Sequence, residues 1–329
     1  MRGAFIRAPG SGSGVIETVT PFVPRRITHA FHDIDGTHSR IRDWVPVMTL
    51  VTGFTARYGM PPGSPEEMAQ AMLARKDEVF DEAHRFAVES AGLSALTQME
   101  WALRCARRLT GESTPTNEEI VRLIWQGEES FPDTGESADS LEKLAGDASL
   151  LFRAYEILLL AMGRDRNLAG ARKDPEAWRI PGSMDFLNSL RDAGIRNYFI
   201  TGAVVEHDAT GRPRGTMAEE IEVLGYEVGP GKIIEEFRGS AWNRKLPKKE
   251  IMSELCAEKG IDPRNVLVVG DGRSEIAAGV ALGCVTLSRL DLSARRAREI
   301  HPELKTNMIV ENYEGVFPLL FAGEEPEEN

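Results

Sequence analysis

The sequence predicts an α/β protein: a parallel sheet with helices on both faces, interrupted after its first strand by a large all-helical segment. Three observations predict this. From about residue 178 onward, helical and strand patterns alternate, as they do where helices cross over between parallel strands. Val266 to Val269 is a continuous apolar run, the mark of a strand buried on both faces. Between residues 40 and 176 alternating strands are missing and helical periodicity recurs instead.

The elements follow in order. A first strand, running from Ile27, ends at Asp33. Helical patterns then cover Val45 to Tyr58, Pro65 to Ala91, Ala95 to Leu109, Asn117 to Trp125 and Leu150 to Met162. Segment 127–149, rich in Gly, Asp, Glu and Ser, reads as a long loop. The alternating part gives helix Met184–Ala193, strand Ile195–Ile200, helix Met217–Leu224, strand Ile233–Phe237 and helix Lys248–Lys259. Strand Val266–Val269, helix Glu275–Leu282 and strand Cys284–Leu287 complete it. Residues 1–26 read as a flexible arm with no apolar leader core, and 323–329 as an acidic tail.

Chemistry concentrates at predicted strand ends, where ligands of open parallel sheets bind. Asp33-Ile34-Asp35-Gly36-Thr37 closes the first strand. Two carboxylates two apart lie on one side of the chain, and Gly36 lets it leave the sheet sharply. Such a pair suits a hard cation, or the division of covalent catalysis between an attacking carboxylate and a proton-handling one. Thr201-Gly202 ends the second strand with a hydroxyl and an amide able to bind a phosphate oxygen. Lys248 opens a helix and shares the face of Ile251 and Met252, whereas Lys249 is rotated about 100° away. Its two readings are a charge aimed at the sheet edge and a stem covering apolar surface; Lys245 is a second candidate. Gly270-Asp271 ends the apolar run, with Glu275 four residues on. His32 alternates away from Asp33 and reads as a core histidine. Gly229-Pro230-Gly231-Lys232 lacks the spacing of a phosphate loop and reads as a turn.

Taken together, Asp33 and Asp35, Thr201, Lys248, and Asp271 with Glu275 resemble the motifs of the haloacid dehalogenase superfamily of phosphohydrolases. The matching segments cover residues 27–39 and roughly 178–290. The resemblance implies a Rossmann-like catalytic core of residues 27–39 and 177–322 and a helical cap of residues 40–176. It implies that Asp33 is the nucleophile, Asp35 the general acid and base, and Thr201 with Gly202 and Lys248 the phosphate-binding groups. Mg2+ would be held by Asp33, Asp35 through its backbone carbonyl, and Asp271, with Glu275 in support. The implied activity is a phosphatase acting on a small phosphorylated metabolite, a sugar phosphate or a phospho-acid. A carboxylate at position 35 argues against a dehalogenase, whose leaving group needs no proton. A phosphomutase uses the same pair and is the alternative; an inactive regulatory binder is another. Arg40, Arg42 and Trp44, just past the first motif, are candidates to line the substrate cavity.

Bulk properties agree. The 329 residues suffice for two domains or one with a large insertion. Acidic residues outnumber basic ones 51 to 39, a net charge of −12 that argues against nucleic acid and anionic membrane partners. Cys105, Cys256 and Cys284 lack metal-ligand spacing and read as buried thiols of a reducing, cytoplasmic compartment. Nothing in the sequence fixes the oligomeric state.

Overall fold

The computed structural model describes residues 3–7, 15–131, 135–242 and 246–321. The chain opens with four short strands, β1 (Ala4–Ile6), β2 (Ile16–Thr18), β3 (Arg25–Ile27) and β4 (His29–His32). A helical region follows: α1 (Trp44–Tyr58), α2 (Pro65–Leu73), α3 (Asp81–Glu89), α4 (Ala95–Thr110), α5 (Pro115–Trp125), α6 (Ala138–Leu159) and α7 (Asp165–Ala171). The chain then alternates through α8 (Ser183–Asp192), β5 (Arg196–Val204), a small hairpin of β6 (Glu206–His207) and β7 (Pro213–Arg214), and α9 (Thr216–Val223). It continues with β8 (Glu236–Ser240), α10 (Lys248–Lys259), β9 (Val266–Gly270), α11 (Arg273–Leu282) and β10 (Val285–Arg289). The last elements are α12 (Arg295–Glu303), β11 (Met308–Val310) and α13 (Val316–Leu320).

Seven strands form the central sheet in the order β2-β11-β10-β9-β4-β5-β8. Every neighbouring pair is parallel except β2 with β11. Strands β4, β9 and β10 are buried along their whole length, as strands covered by helices on both faces must be. The chain leaves β4 to β5 on one side and later returns to β9 on the other. The strand order therefore reverses at β4, and the crevice beyond its carboxyl end is where such sheets bind ligands.

The helical region has a core of its own. Val51, Met99 and Leu151, from α1, α4 and α6, are enclosed there, each contributing about 1.5–3 kcal/mol of burial. No helix among the described residues is long and apolar enough to cross a membrane.

Several expectations need correction. The segment read as a flexible arm supplies β1, paired antiparallel with β3, and the edge strand β2. These strands are three residues long, too short for an alternating pattern to register. The pattern over Pro65 to Ala91 is two helices with a break between Leu73 and Asp81. Half of the supposed loop 127–149 is helix, because α6 begins at Ala138, capped by the Ser137 hydroxyl, which accepts from Ser140 N at 3.2 Å. Its Asp, Glu and Gly residues mark the open face of an amphipathic helix whose Leu144 and Ala148 are buried. The third core strand lies at Glu236–Ser240, three residues past the expected start. Gly229 to Lys232 is a turn, closed by the bridge between Val228 and Ile234. All three cysteines are buried free thiols. Lys245 and the acidic tail lie outside the described residues.

Candidate active site

The turn after β4 is built to hold carboxylates. The carbonyl of Ile34 accepts hydrogen bonds from the amides of Thr37 (3.2 Å), His38 (2.8 Å) and Ser39 (2.9 Å), folding the chain back within five residues. Gly36 sits at φ +73°, and a Cβ there would collide with the carboxylate of Asp271, so both the conformation and the space require glycine. The turn is also pinned from outside. Arg289 Nη1 donates to Gly36 O (3.0 Å), Tyr313 Oη to Thr37 O (3.0 Å) and Tyr226 Oη to His38 O (3.1 Å).

Beneath the turn, His32 is fully buried, as expected of a core histidine, and it forms a hydrogen-bonded pair with His38 (3.1 Å). Asn197 Nδ2 donates to two backbone carbonyls, so its Oδ1 accepts and His32 Nε2 carries the proton (3.2 Å). Burial pushes His32 down to about 3 and His38 well below its ordinary value, so both rings stay neutral.

Asp33, Asp271 and Glu275 converge, with one carboxylate oxygen of each lying within 4.8 Å of the others. Each arrives at a strand end or the helix start after it. Asp33 follows β4, with its amide donating to Val269 O at 2.9 Å; Asp271 follows β9; Glu275 lies in the first turn of α11. Lys248 is buried, and its Nζ donates to Asp33 Oδ1 (2.6 Å) and Glu275 Oε2 (2.9 Å), whereas Lys249 is exposed. The helical phase read from the sequence is therefore the observed one. Glu275 Oε1 also accepts from Gly272 N, closing the start of α11. Thr37 Oγ1 donates to Asp271 Oδ1 at 3.0 Å.

The carboxylates crowd one another. Burial raises Asp33 to about 6; Lys248 opposes the rise and Glu275 adds to it. Burial raises Asp35 to about 8, opposed by Arg42 and reinforced by Glu220 and Asp33. Burial, then the charges of Asp33 and Glu275, hold Asp271 well above the usual carboxylate range. One lysine does not neutralise this group. An all-oxygen cluster with excess negative charge fits a hard dication such as Mg2+. Asp33 and Asp271 are the two carboxylates of the cluster that could ligate such an ion directly. Both oxygens of Glu275 already accept hydrogen bonds, which suits it to a supporting position.

Asp35 differs from its neighbours: its buried Oδ1 has no hydrogen-bond partner. Its raised value gives a signed prediction. In the unfolded chain Asp35 ionises near its ordinary 3.8, but in the fold only near 8. It therefore costs nothing below about pH 4, and its cost grows through that window, reaching its full extent above pH 8. Asn at position 35 cannot ionise. The stability advantage of Asp35→Asn in metal-free protein should thus be larger at pH 9 than at pH 5 in urea melts. A difference independent of pH contradicts it.

These groups open onto a cavity of about 80 Å³. Core residues Asp33, Asp35, Thr201, Gly202, Lys248 and Asp271 form one side. The helical region supplies the other, with Trp44, Gln98, Phe152, Tyr155 and Glu156. The segment between α3 and α4 reaches in beside the carboxylates: Ala91 O accepts from Arg273 N (3.1 Å) and Gly92 O from the Ser274 hydroxyl. Gly92 is at φ +88°, and a Cβ there would strike the Glu275 carboxylate.

Of the residues expected to line the cavity, Arg42 and Trp44 do. Arg40 does not: it is exposed, placed outside by the turn that carries its amide to Trp178 O (2.9 Å). Arg42 is enclosed and occupied by protein partners, Glu220 (2.9 and 3.1 Å), Glu156 (3.3 Å) and Thr216 (2.8 Å). Sequence reasoning missed Thr37, Gln98, Phe152, Tyr155, Glu156 and the 91–93 segment. Gly92, ending a helical pattern, was the one local signal available for that segment.

No family model matches the chain, and no curated protein matches it. Similar solved structures include β-phosphoglucomutase from Clostridium difficile, 12% identical, with a TM-score of 0.45 over 88% of this chain and 93% of that one. A predicted phosphatase from Clostridium acetobutylicum is 10% identical, with a TM-score of 0.47 over 88% of this chain and 96% of that one. A dehalogenase is 13% identical, with a TM-score of 0.37 over 90% and 98% respectively.

Proposed function

We propose that this chain is a Mg2+-dependent phosphatase that hydrolyses a small phosphomonoester through an aspartyl phosphate on Asp33. Residues 27–39 and 177–322 act as the catalytic core, and residues 40–176 as a cap over it. One observation carries the reading: a lysine-paired carboxylate, Asp33, stands in a three-carboxylate cluster beside a second carboxylate, Asp35, whose buried oxygen is unpartnered.

Asp33 and Asp35 have their affinities for protons pushed apart, to about 6 and about 8. Such a separation supports a division of roles in which the weaker base, Asp33, attacks as a carboxylate and Asp35 donates a proton. An Asp33 oxygen attacks phosphorus, the bond to the ester oxygen breaks, and Asp35 gives its proton to that leaving oxygen. Water then attacks phosphorus, Asp35 takes its proton, and the Asp33 carboxylate is released with inorganic phosphate. Bound Mg2+ supplies charge neutralisation for the phosphoryl group. Lys248 adds a fixed positive charge, since Asp33 and Glu275 hold its amine protonated against the effect of burial. The Thr201 hydroxyl, which accepts from Ala203 N (3.1 Å), keeps its proton to donate to a phosphate oxygen. The buried free thiols support residence in a reducing, cytoplasmic compartment.

The test is phosphate release from p-nitrophenyl phosphate and a panel of small phosphomonoesters. Turnover should vanish with EDTA and return with Mg2+. No turnover of any ester with Mg2+, or turnover indifferent to EDTA, overturns the reading.

A further inference from the structure

Resting on that phosphatase reading, we infer that the organic part of the substrate bears hydrogen-bond donors, best a primary ammonium group, and carries no carboxylate. The cavity wall opposite Lys248 sets what that part can carry. An anionic substrate would need a free cation there, and Arg42 is the arginine on that wall. Its Nε already donates to both oxygens of Glu220, its Nη1 to Glu156 and its Nη2 to Thr216. Arg164 donates to the same Glu220 (2.7 Å), so the buried carboxylate is locked between two guanidiniums and is not displaced by a ligand.

What the wall leaves available is acceptor capacity. Gln98 Nε2 donates to Ser90 O (3.3 Å) and Ser90 Oγ (2.8 Å). The backbone carbonyl can only accept, so this fixes the amide orientation and leaves Gln98 Oε1 as its acceptor. Glu156 accepts one bond at each oxygen, from Arg42 Nη1 at Oε1 (3.3 Å) and from the Thr216 hydroxyl at Oε2 (3.1 Å), so each oxygen keeps a lone pair, and with 16% of its side chain exposed against 3% for Arg42 the carboxylate is the more accessible member of that pair. The remaining surface is aromatic, from Trp44, Phe152 and Tyr155. An acidic group framed by aromatic faces is the chemistry that receives an ammonium group, through a charge-assisted hydrogen bond and cation–π attraction. A substrate carboxylate would instead face Glu156 and the Gln98 oxygen. This departs from the sequence expectation of a sugar phosphate or phospho-acid.

Three esters of matched size test it: O-phosphoethanolamine, 2-hydroxyethyl phosphate and phosphoglycolate. In the wild-type enzyme with Mg2+, kcat/KM should fall in that order. The amine should lead the alcohol by about 10-fold and the carboxylate by about 100-fold, as expected for a buried charged hydrogen bond gained or opposed. Glu156→Gln should shrink the amine-to-carboxylate ratio by about 10-fold, each ratio being taken within one preparation. Calorimetric binding of the three ligands to Asp33→Asn protein with Mg2+ reads the same order without turnover. If p-nitrophenyl phosphate is not hydrolysed but binding keeps the order, the phosphatase reading fails and this one stands. If p-nitrophenyl phosphate is hydrolysed and phosphoglycolate equals or exceeds the amine, or the ratio is unchanged in Glu156→Gln, this inference is overturned and the phosphatase reading stands.

Discussion

Asp33→Asn is expected to lower phosphate release by about four orders of magnitude or more, as removal of a covalent nucleophile does in enzymes whose reacting groups act as a unit. An amide oxygen is a poor nucleophile and cannot form the acyl phosphate. The fold should survive. Asn is isosteric, its backbone amide still reaches Val269 O, and Lys248 keeps Glu275 as a partner. Without metal, stability should hold or rise, because one charge leaves a cluster in which Glu275 raises the cost of ionising Asp33 and both raise that of Asp271. With Mg2+ the order should reverse, since the variant loses a ligand and with it part of the stabilisation by bound metal. Thermal melts with and without Mg2+ read this crossover independently of activity. Substantial residual turnover would remove Asp33 from its role.

Lys248→Ala should cost about 2–4 kcal/mol in the chemical step, the range for loss of one donor aimed at developing negative charge. It should also destabilise the metal-free protein, by about 3–5 kcal/mol, because Asp33 and Glu275 would be left as buried charges without their shared cation. Mg2+ should recover part of the stability but not the rate, since the metal neutralises the carboxylates without replacing the amine. Lys249→Ala, on the exposed side of the same helix, should stay near wild type in both. Equal losses at 248 and 249 contradict the assignment.

What was legible in the sequence was local. Asp33 and Asp35 sit in a five-residue turn, Asp271 and Glu275 at one strand-to-helix junction, and Lys248 declares its face through the spacing of Ile251 and Met252. Short-range geometry governs such features, and the observed backbone keeps it. The opposite wall of the cavity was not legible. Gln98, Tyr155 and Glu156 lie on helices whose periodicity reports burial but not what they are buried against. Arg42 shows the difference clearly. From the sequence it is an arginine next to a catalytic motif, free to take an anion. In the fold it is held by Glu220, 178 residues away, which no local pattern announces. Segment 138–149 failed for another reason: its polar composition outweighed a 3.6-residue pattern carried by only Leu144 and Ala148. The edge strand β2 is set by its pairing with β11, and β11 by its pairing with β2 and β10; three residues are too few to signal either.

The central claim is that phosphorus becomes bonded to residue 33. The most direct measurement is to quench the wild-type enzyme during turnover of p-nitrophenyl phosphate with Mg2+ and reduce it with borohydride, which converts an acyl phosphate to an alcohol. The peptide containing residue 33 is then sequenced by mass spectrometry. The account predicts homoserine at position 33, dependent on substrate and Mg2+ and missing from Asp33→Asn. Turnover with residue 33 unmodified, or with the label on another carboxylate, would contradict it.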